Sequence, residues 1–130
     1  MIKFTHTIFY VKDIPGALAF YKSAFNIEPR FVHESGEYAE LETGSTVIAF
    51  ASEELGHANL PNGYTPNDIN KLPLACEIVF TVDDLESVYQ KALQEGAINI
   101  AGPSLKPWGQ TVAYVRDLNG ILIELASPIG

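Results

Sequence analysis

A single carboxylate interrupts the most apolar run of the chain. Residues 121–126 read Ile-Leu-Ile-Glu-Leu-Ala, so Glu124 is the one polar position among side chains that favour burial. An ionised carboxylate in such a setting must be paired, bound to a cation or raised in pKa, because burial strongly disfavours an isolated charge. Upstream, residues 112–115 favour a strand, and 117–120, Asp-Leu-Asn-Gly, favour a hairpin turn. Glu124 is therefore the first candidate for chemistry.

Composition narrows the setting in which this carboxylate acts. The 130 residues, 47% of them hydrophobic, predict one folded domain with its own core. The net charge of −8 disfavours nucleic acid and anionic membranes as partners. The one cysteine, Cys76, excludes an intrachain disulfide, and strand parity predicts that it is a buried, unreactive thiol. No apolar run reaches the length of a membrane span, about 18 residues, and a cytoplasmic protein is expected.

The chain repeats one order of elements, strand, helix and three strands, on either side of a connector. The first module covers residues 1–52, the connector 53–72 and the second module 73–130. Helices are predicted at 14–25 and 85–95, where apolar residues recur at helical spacing behind the capping residues Asp13 and Asp84. The connector is rich in proline, asparagine and glycine and has no periodicity. Strands are also expected at 74–82 and 98–101.

Superposing the two modules aligns positions that could bind a metal. A shift of 71 residues places His6 over Glu77, and near the module ends a shift of 75 places Ala49 over Glu124. Two repeated modules imply a pseudo-twofold axis, with equivalent strand positions facing a shared cleft. His6, Glu77 and Glu124 are therefore candidate ligands, and Ala49 is a fourth position without a donor atom.

Three segments carry a resemblance to a known family: THTIFYVKDIPGALAFY at the start, EIVFTVDDLESVYQKALQEGA in the middle and AYVRDLNGILIELASP at the end. With them the chain resembles the vicinal oxygen chelate superfamily, which includes glyoxalases, fosfomycin-resistance thiol transferases, extradiol dioxygenases and bleomycin-resistance proteins. The resemblance implies an α+β fold of two βαβββ modules, with curled mixed or antiparallel sheets around a cleft and helices outside. It also places metal ligands at the four positions that the internal repeat aligns.

The candidate ligand set departs from the family pattern. Glyoxalase-like relatives usually have four ligands, and Ala49 lacks one; Glu77 stands where thiol transferases and dioxygenases have a second histidine. The remaining imidazole and two carboxylates would suit Ni²⁺, Zn²⁺, Mn²⁺ or Fe²⁺. Bleomycin-resistance proteins bind their ligand without metal, so the incomplete set is also compatible with no cofactor. Because two adjacent carboxylates repel, at least one of Glu77 and Glu124 should have a raised pKa.

Two functions follow from the resemblance. The first is a metal-dependent, glyoxalase-like lyase or isomerase that stabilises an enediolate or similar oxyanion, with Glu77 or Glu124 as general base. The second is a metal-free protein that sequesters an aromatic or cationic small molecule by charge and by stacking. The aromatic residues proposed to contact the ligand are Phe4, Tyr10, Trp108 and Tyr114.

Each candidate also has a purely structural interpretation. His6 on a half-apolar strand could be a structural histidine, and Glu77 could pair with Arg116. Glu124 could be retained because it hydrogen-bonds His6, and Trp108 could anchor its loop.

The resemblance also predicts assembly as a homodimer. Phe4, Ile8, Phe31 and Phe50 exceed the apolar surface that one small core requires, which favours a twofold interface.

Overall fold

The computed structural model describes residues 1–129, in which two four-stranded sheets repeat the same topology. The first sheet contains β1 (His6–Val11), β2 (Pro29–Val32), β3 (Tyr38–Leu41) and β4 (Val47–Ser52), in the order β1-β4-β3-β2. The second contains β5 (Ile78–Thr81), β6 (Ile98–Leu105), β7 (Thr111–Arg116) and β8 (Leu122–Ala126), in the order β5-β8-β7-β6. One pair in each sheet is parallel, β1 with β4 and β5 with β8, and the other pairs are antiparallel. Two βαβββ modules and the α+β class are thereby confirmed.

The two predicted helices begin at the predicted caps. Helix α1 (Ile14–Phe25) starts behind Asp13, whose carboxylate accepts a hydrogen bond from the Gly16 N–H at 3.0 Å. The helix after β5, α3 (Leu85–Gln94), starts behind Asp84, which accepts from the Ser87 N–H at 3.2 Å. Both aspartates satisfy backbone donors that a helix start leaves unpaired. Within residues 1–129, no helix has the length and apolar character needed to cross a membrane.

The connector contains a helix that periodicity did not predict. Helix α2 (Glu53–Asn59) follows β4 directly, and the Ser52 hydroxyl caps it by accepting from the Leu55 N–H at 3.0 Å. Glu53 and Glu54 in its first turn interact favourably with the positive end of the helix dipole. Seven residues are too few to show an apolar stripe, so the capping residue and the acidic first turn were the available sequence signals.

Several strand boundaries differ from the predicted ones. β5 begins at Ile78, later than the predicted start at residue 74, whereas β6 continues to Leu105, beyond the predicted end at residue 101. Cys76 therefore lies outside β5, and the alternation of side chains along a strand does not determine which way its side chain points. The prediction that Cys76 is buried is wrong, because its thiol is exposed.

The chain divides into two compact units. The first unit consists of Met1–Lys22 and Asn26–Pro66, and the second consists of Ser23–Phe25 and the chain from Asn67 onward. The second core is built on alternate residues of β7 and β8, and Val115, Ile123 and Leu125 are fully buried there.

One residue predicted to lie in a dimer interface belongs to the core of the first unit. Phe50 is fully buried, and its ring centroid lies 5.3 Å from that of Tyr21. Phe50 is therefore a core residue and is unavailable to a dimer interface. Phe4, Ile8 and Phe31 remain exposed, by 72%, 46% and 47%. The homodimer stays a prediction.

Candidate functional site

The second unit carries Glu124 on the exposed side of an otherwise buried strand. Because successive strand residues point to opposite faces, Ile123 and Leu125 enter the core while Glu124 is only half-buried. In the register of β7 and β8, Tyr114 lies opposite Glu124, and its hydroxyl donates to Glu124 Oε1 at 2.9 Å. The apolar run can therefore contain a carboxylate, because the Glu124 side chain points to the opposite face of the strand from its buried neighbours.

Glu77 joins this cluster from the residue that precedes β5. When protonated it donates a hydrogen bond to the Glu124 carboxylate, and loss of hydration, that hydrogen bond and repulsion by Glu124 together raise the pKa of Glu77. The predicted raised pKa in this pair is confirmed. The pKa of Tyr114 is also raised, first by its hydrogen bond to Glu124 and then by burial.

The raised pKa predicts a pH-dependent gain in stability for Glu77→Gln. The folded protein binds the Glu77 proton more tightly than the unfolded chain does, so this contribution is complete below about pH 4 and is lost as pH rises through the raised pKa. The amide of a glutamine at position 77 can donate a hydrogen bond to the Glu124 carboxylate at every pH. Because Glu77 is solvent-exposed, we expect a screened gain of about 0.5–1 kcal/mol at neutral pH, a rise in melting temperature of about 2–4 °C.

Thermal melts of Glu77→Gln across the acid-to-neutral range measure this gain, which should shrink below about pH 4. Glu34→Gln, at an exposed glutamate in the turn between β2 and β3, is the matched control and should change the melting temperature little. A Glu77→Gln gain that is the same at all pH values would contradict the shared-proton interpretation.

Arg116 is not the partner of Glu77. It is buried, and its guanidinium donates to three backbone carbonyls: Gly120 O at 2.9 Å, Lys71 O at 2.6 Å and Asp68 O at 3.0 Å. The alternative pairing of Glu77 with Arg116 is therefore wrong. Arg116 instead ties the end of the connector to the β7–β8 turn.

The first unit holds His6 in a second polar cluster. The ring of His6 donates from Nε2 to Glu40 Oε2 at 3.0 Å, and Thr5 Oγ1 lies 2.8 Å from Nδ1. Glu40 Oε2 also accepts from the Tyr38 hydroxyl at 2.7 Å, and Arg30 Nε lies 3.7 Å from the other carboxylate oxygen. The His6 side chain is 37% exposed and that of Glu40 is 15% exposed.

Hydrogen bonding keeps Glu40 ionised. The hydrogen bond from Tyr38 lowers the pKa of Glu40 most, and His6 and Arg30 add to this effect against the opposing influence of burial. Burial, followed by the hydrogen bond to Glu40, raises the pKa of Tyr38 to about 12. Glu40 is therefore an ionised acceptor in contact with the predicted site residue His6.

Sequence reasoning missed Glu40. In the register, Ala49 lies between Glu40 on β3 and Ile8 on β1, so a carboxylate stands directly beside the position that lacks one. Alternation with the buried Ala39 and Leu41 already indicated that Glu40 faces away from the core. Its neighbours depended on strand order, which no local pattern contains.

Tyr10, predicted to contact the ligand, packs against the connector. Its ring centroid lies 4.9 Å from that of Tyr64, and His57 stacks on Tyr64 at 4.9 Å with planes 26° apart. Gly56 in α2 approaches closely, because a Cβ at that position would lie 2.9 Å from the Tyr10 ring. In the structure, Tyr10 therefore packs against α2 and the connector.

Two other predicted aromatic residues present exposed rings. Phe4, just before β1, is 72% exposed, and Trp108, between β6 and β7, is 64% exposed. The Trp108 indole donates to Gln110 Oε1 at 2.8 Å, and the Gln110 amide donates to Ser127 O at 2.9 Å. These two hydrogen bonds hold Trp108 in the loop between β6 and β7, while its ring stays exposed. Contact of Phe4 and Trp108 with a ligand remains a prediction.

The residues present do not form a ready-made metal site. In the described part of the chain, no three His, Cys, Asp or Glu side chains are grouped so that they could hold a metal ion. Glu77 and Glu124 come together as a pair, whereas His6 Nε2 is already bonded to Glu40. Joint ligation by His6, Glu77 and Glu124 stays a prediction, and we assign no step through a metal.

Solved structures show the same fold. A glyoxalase-related enzyme from Fulvimarina pelagi superposes with a TM-score of 0.83 at 15% identity, over 98% of this chain and 89% of that one. A glyoxalase/bleomycin resistance protein/dioxygenase family enzyme from Burkholderia phytofirmans PsJN gives a TM-score of 0.79 at 20% identity, over 97% and 98% of the two chains. TioX from Micromonospora sp. ML1 gives a TM-score of 0.70 at 18% identity, over 97% and 98%.

At sequence identities of 15% to 20%, the similarity to these structures establishes only the fold. A comparison with curated proteins found no significant match. Sequence similarity to a family model is more informative, since that model covers nearly the whole chain. It matches residues 3–125, and the chain therefore belongs to the Glyoxalase/Bleomycin resistance protein/Dioxygenase superfamily.

Proposed function

We propose that the protein binds a small organic cation and that Glu77 and Glu124 recognise its charged group. The observation that carries this proposal is the hydrogen-bonded carboxylate pair of the second unit, with Glu77 exposed and Glu124 half-buried. A cation against the pair would offset the repulsion between the carboxylates and allow both to ionise. The net charge of −8 would also draw cations toward the protein.

The rest of the cluster favours a cation attached to an aromatic body. Tyr114 is half-buried beside Glu124, and the face of a phenol ring attracts cations and stacks on other rings. The exposed indole of Trp108 is a second stacking surface that we assign to the ligand. A homodimer in the cytoplasm remains part of this proposal.

Thermal melting with a matched pair of probes tests cation recognition. Phenethylamine carries an aromatic ring and an ammonium group, and phenethyl alcohol has the same ring without the charge. At tenfold its dissociation constant the amine should add about 1.4 kcal/mol of stability, a rise of about 4–6 °C. Glu77→Gln and Glu124→Gln should each reduce this rise, and the alcohol should give little. Equal shifts with both probes would overturn the proposal.

The competing function is a metal-dependent lyase in which Glu77 or Glu124 is the general base. It is favoured by the proximity of the two carboxylates. Both stand at candidate ligand positions, since the internal repeat aligns Glu77 with His6 and Glu124 with Ala49. Melting curves with a chelator and with Mn²⁺, Ni²⁺ or Zn²⁺ separate the two functions. We expect no difference for the wild type. A metal-dependent rise that Glu124→Ala abolishes and Ala49→Glu strengthens would show metal binding at these positions and favour the metal-dependent function instead.

A further inference from the structure

In each unit a tyrosine hydroxyl donates to a glutamate, but the glutamate lies on a different strand of the module. In the second unit the carboxylate is Glu124 on β8, and Tyr114 donates to it from the neighbouring β7. In the first unit the repeat partner of Glu124 is Ala49 on β4, and the carboxylate is Glu40 on the neighbouring β3. Glu40 also receives a tyrosine hydroxyl, from Tyr38.

We infer that Glu40 is a positioning residue: from β3 it supplies the carboxylate that Ala49 lacks on β4, and it fixes the ring of His6 for direct hydrogen bonding to a ligand. This inference is independent of cation recognition in the second unit. It concerns residues of the first unit only.

The small side chain of Ala49 permits the contact between His6 and Glu40. β4 lies between β1 and β3, so the two side chains must meet above it. They do so at 3.0 Å, and Ala49 is fully buried. A longer side chain at this position would compete for the same space, so the missing carboxylate and the His6–Glu40 contact are two aspects of one arrangement.

The carboxylate determines which nitrogen of His6 faces a ligand as an acceptor. An ionised carboxylate only accepts hydrogen bonds, so Nε2 carries the proton of the neutral ring and Nδ1 has the free lone pair. That lone pair now accepts from the hydroxyl of Thr5, an exposed neighbour in the chain. A ligand hydroxyl or N–H can replace this local contact without breaking the Glu40 contact.

The surface around His6 selects an aromatic or apolar ligand body. Ile8 lies two residues along β1, on the same face as His6, and is 46% exposed. Phe31 lies opposite Glu40 in the pairing of β2 and β3 and is 47% exposed. Exposed apolar side chains that flank a polar pair are typical of ligand-binding surfaces, and this role replaces the dimer contact expected of Ile8 and Phe31. The ligand class is therefore an aromatic compound with a hydroxyl or N–H donor.

NMR of histidine-labelled protein tests the positioning role. Long-range proton–nitrogen correlations at about pH 8, where an ordinary histidine is neutral, report which ring nitrogen carries the proton. We expect Nε2–H alone for His6 in the wild type, a mixture of the two tautomers in Glu40→Met and recovery of the wild-type state in Glu40→Gln, which keeps an acceptor oxygen. Tyr38→Phe, the matched control, should preserve it. An unchanged ratio of the two tautomers in Glu40→Met would overturn the inference.

Titration with phenol and anisole tests the ligand class, since anisole lacks the donor. Phenol should shift the Nδ1 signal of His6, anisole should not, and Glu40→Met should weaken phenol binding about fivefold, the value of one hydrogen bond. Thr5→Val, at an exposed position, removes the competing hydroxyl and should strengthen binding about twofold to threefold. Equal binding of phenol and anisole, or unchanged affinity in Thr5→Val, would overturn the assignment.

Discussion

Arg116→Met should lower the free energy of unfolding by about 3 kcal/mol, because the variant leaves three carbonyl acceptors without their donor. Those acceptors are the carbonyl oxygens of Gly120, Lys71 and Asp68, each within 3.0 Å of the guanidinium. Methionine retains much of the buried stem but none of the donors. Relief of the cost of burying a charge offsets part of the loss. The melting temperature should fall by about 10 °C.

Denaturant titration of the wild type, Arg116→Met and Arg116→Lys measures this loss. Lysine should restore little, since an ammonium cannot direct donors to three separate carbonyls with the planar geometry of a guanidinium. Arg30→Met is the matched control, because its side chain is 46% exposed and it should cost under about 1 kcal/mol. Equal losses at the two arginines would contradict the anchoring role of Arg116.

Gly120→Ala should cost about 2–3 kcal/mol, for two separate reasons. Gly120 has a φ of +92°, in the left-handed region that disfavours any residue with a Cβ. An added Cβ would also lie 2.8 Å from Arg116 Nη2 and 3.2 Å from the backbone nitrogen of Ile69. The backbone of the connector cannot yield easily, so the strain adds to the conformational cost.

Gly36→Ala is the matched control for this substitution. Gly36 also has a positive φ, of +75°, but a Cβ there would meet no atom within 4 Å. It should cost about 1 kcal/mol, the conformational part alone. Combining Gly120→Ala with Arg116→Met should cost less than the sum of the two, because the guanidinium that the new methyl would meet is gone. Strict additivity would contradict the predicted contact.

The sequence by itself determined the elements and their repetition. Asp13 and Asp84 marked the helix starts because capping depends on residues within one turn. The hairpin turn at 117–120 forms as predicted, with Gly120 in the left-handed conformation. Strand parity places Glu124 on the side of β8 opposite to the buried Ile123 and Leu125. These features are local, since each depends on residues a few positions apart in the chain.

Only the tertiary structure decided which side chains meet. His6 contacts Glu40, 34 positions away in the sequence, because β3 and β1 flank β4 in the sheet. Arg116 binds the carbonyl of Asp68, 48 positions away, because the connector folds back over the β7–β8 turn. Local periodicity states which face of a strand a residue occupies, but strand order and register select its neighbours. These depend on packing of the whole chain, which no short pattern encodes.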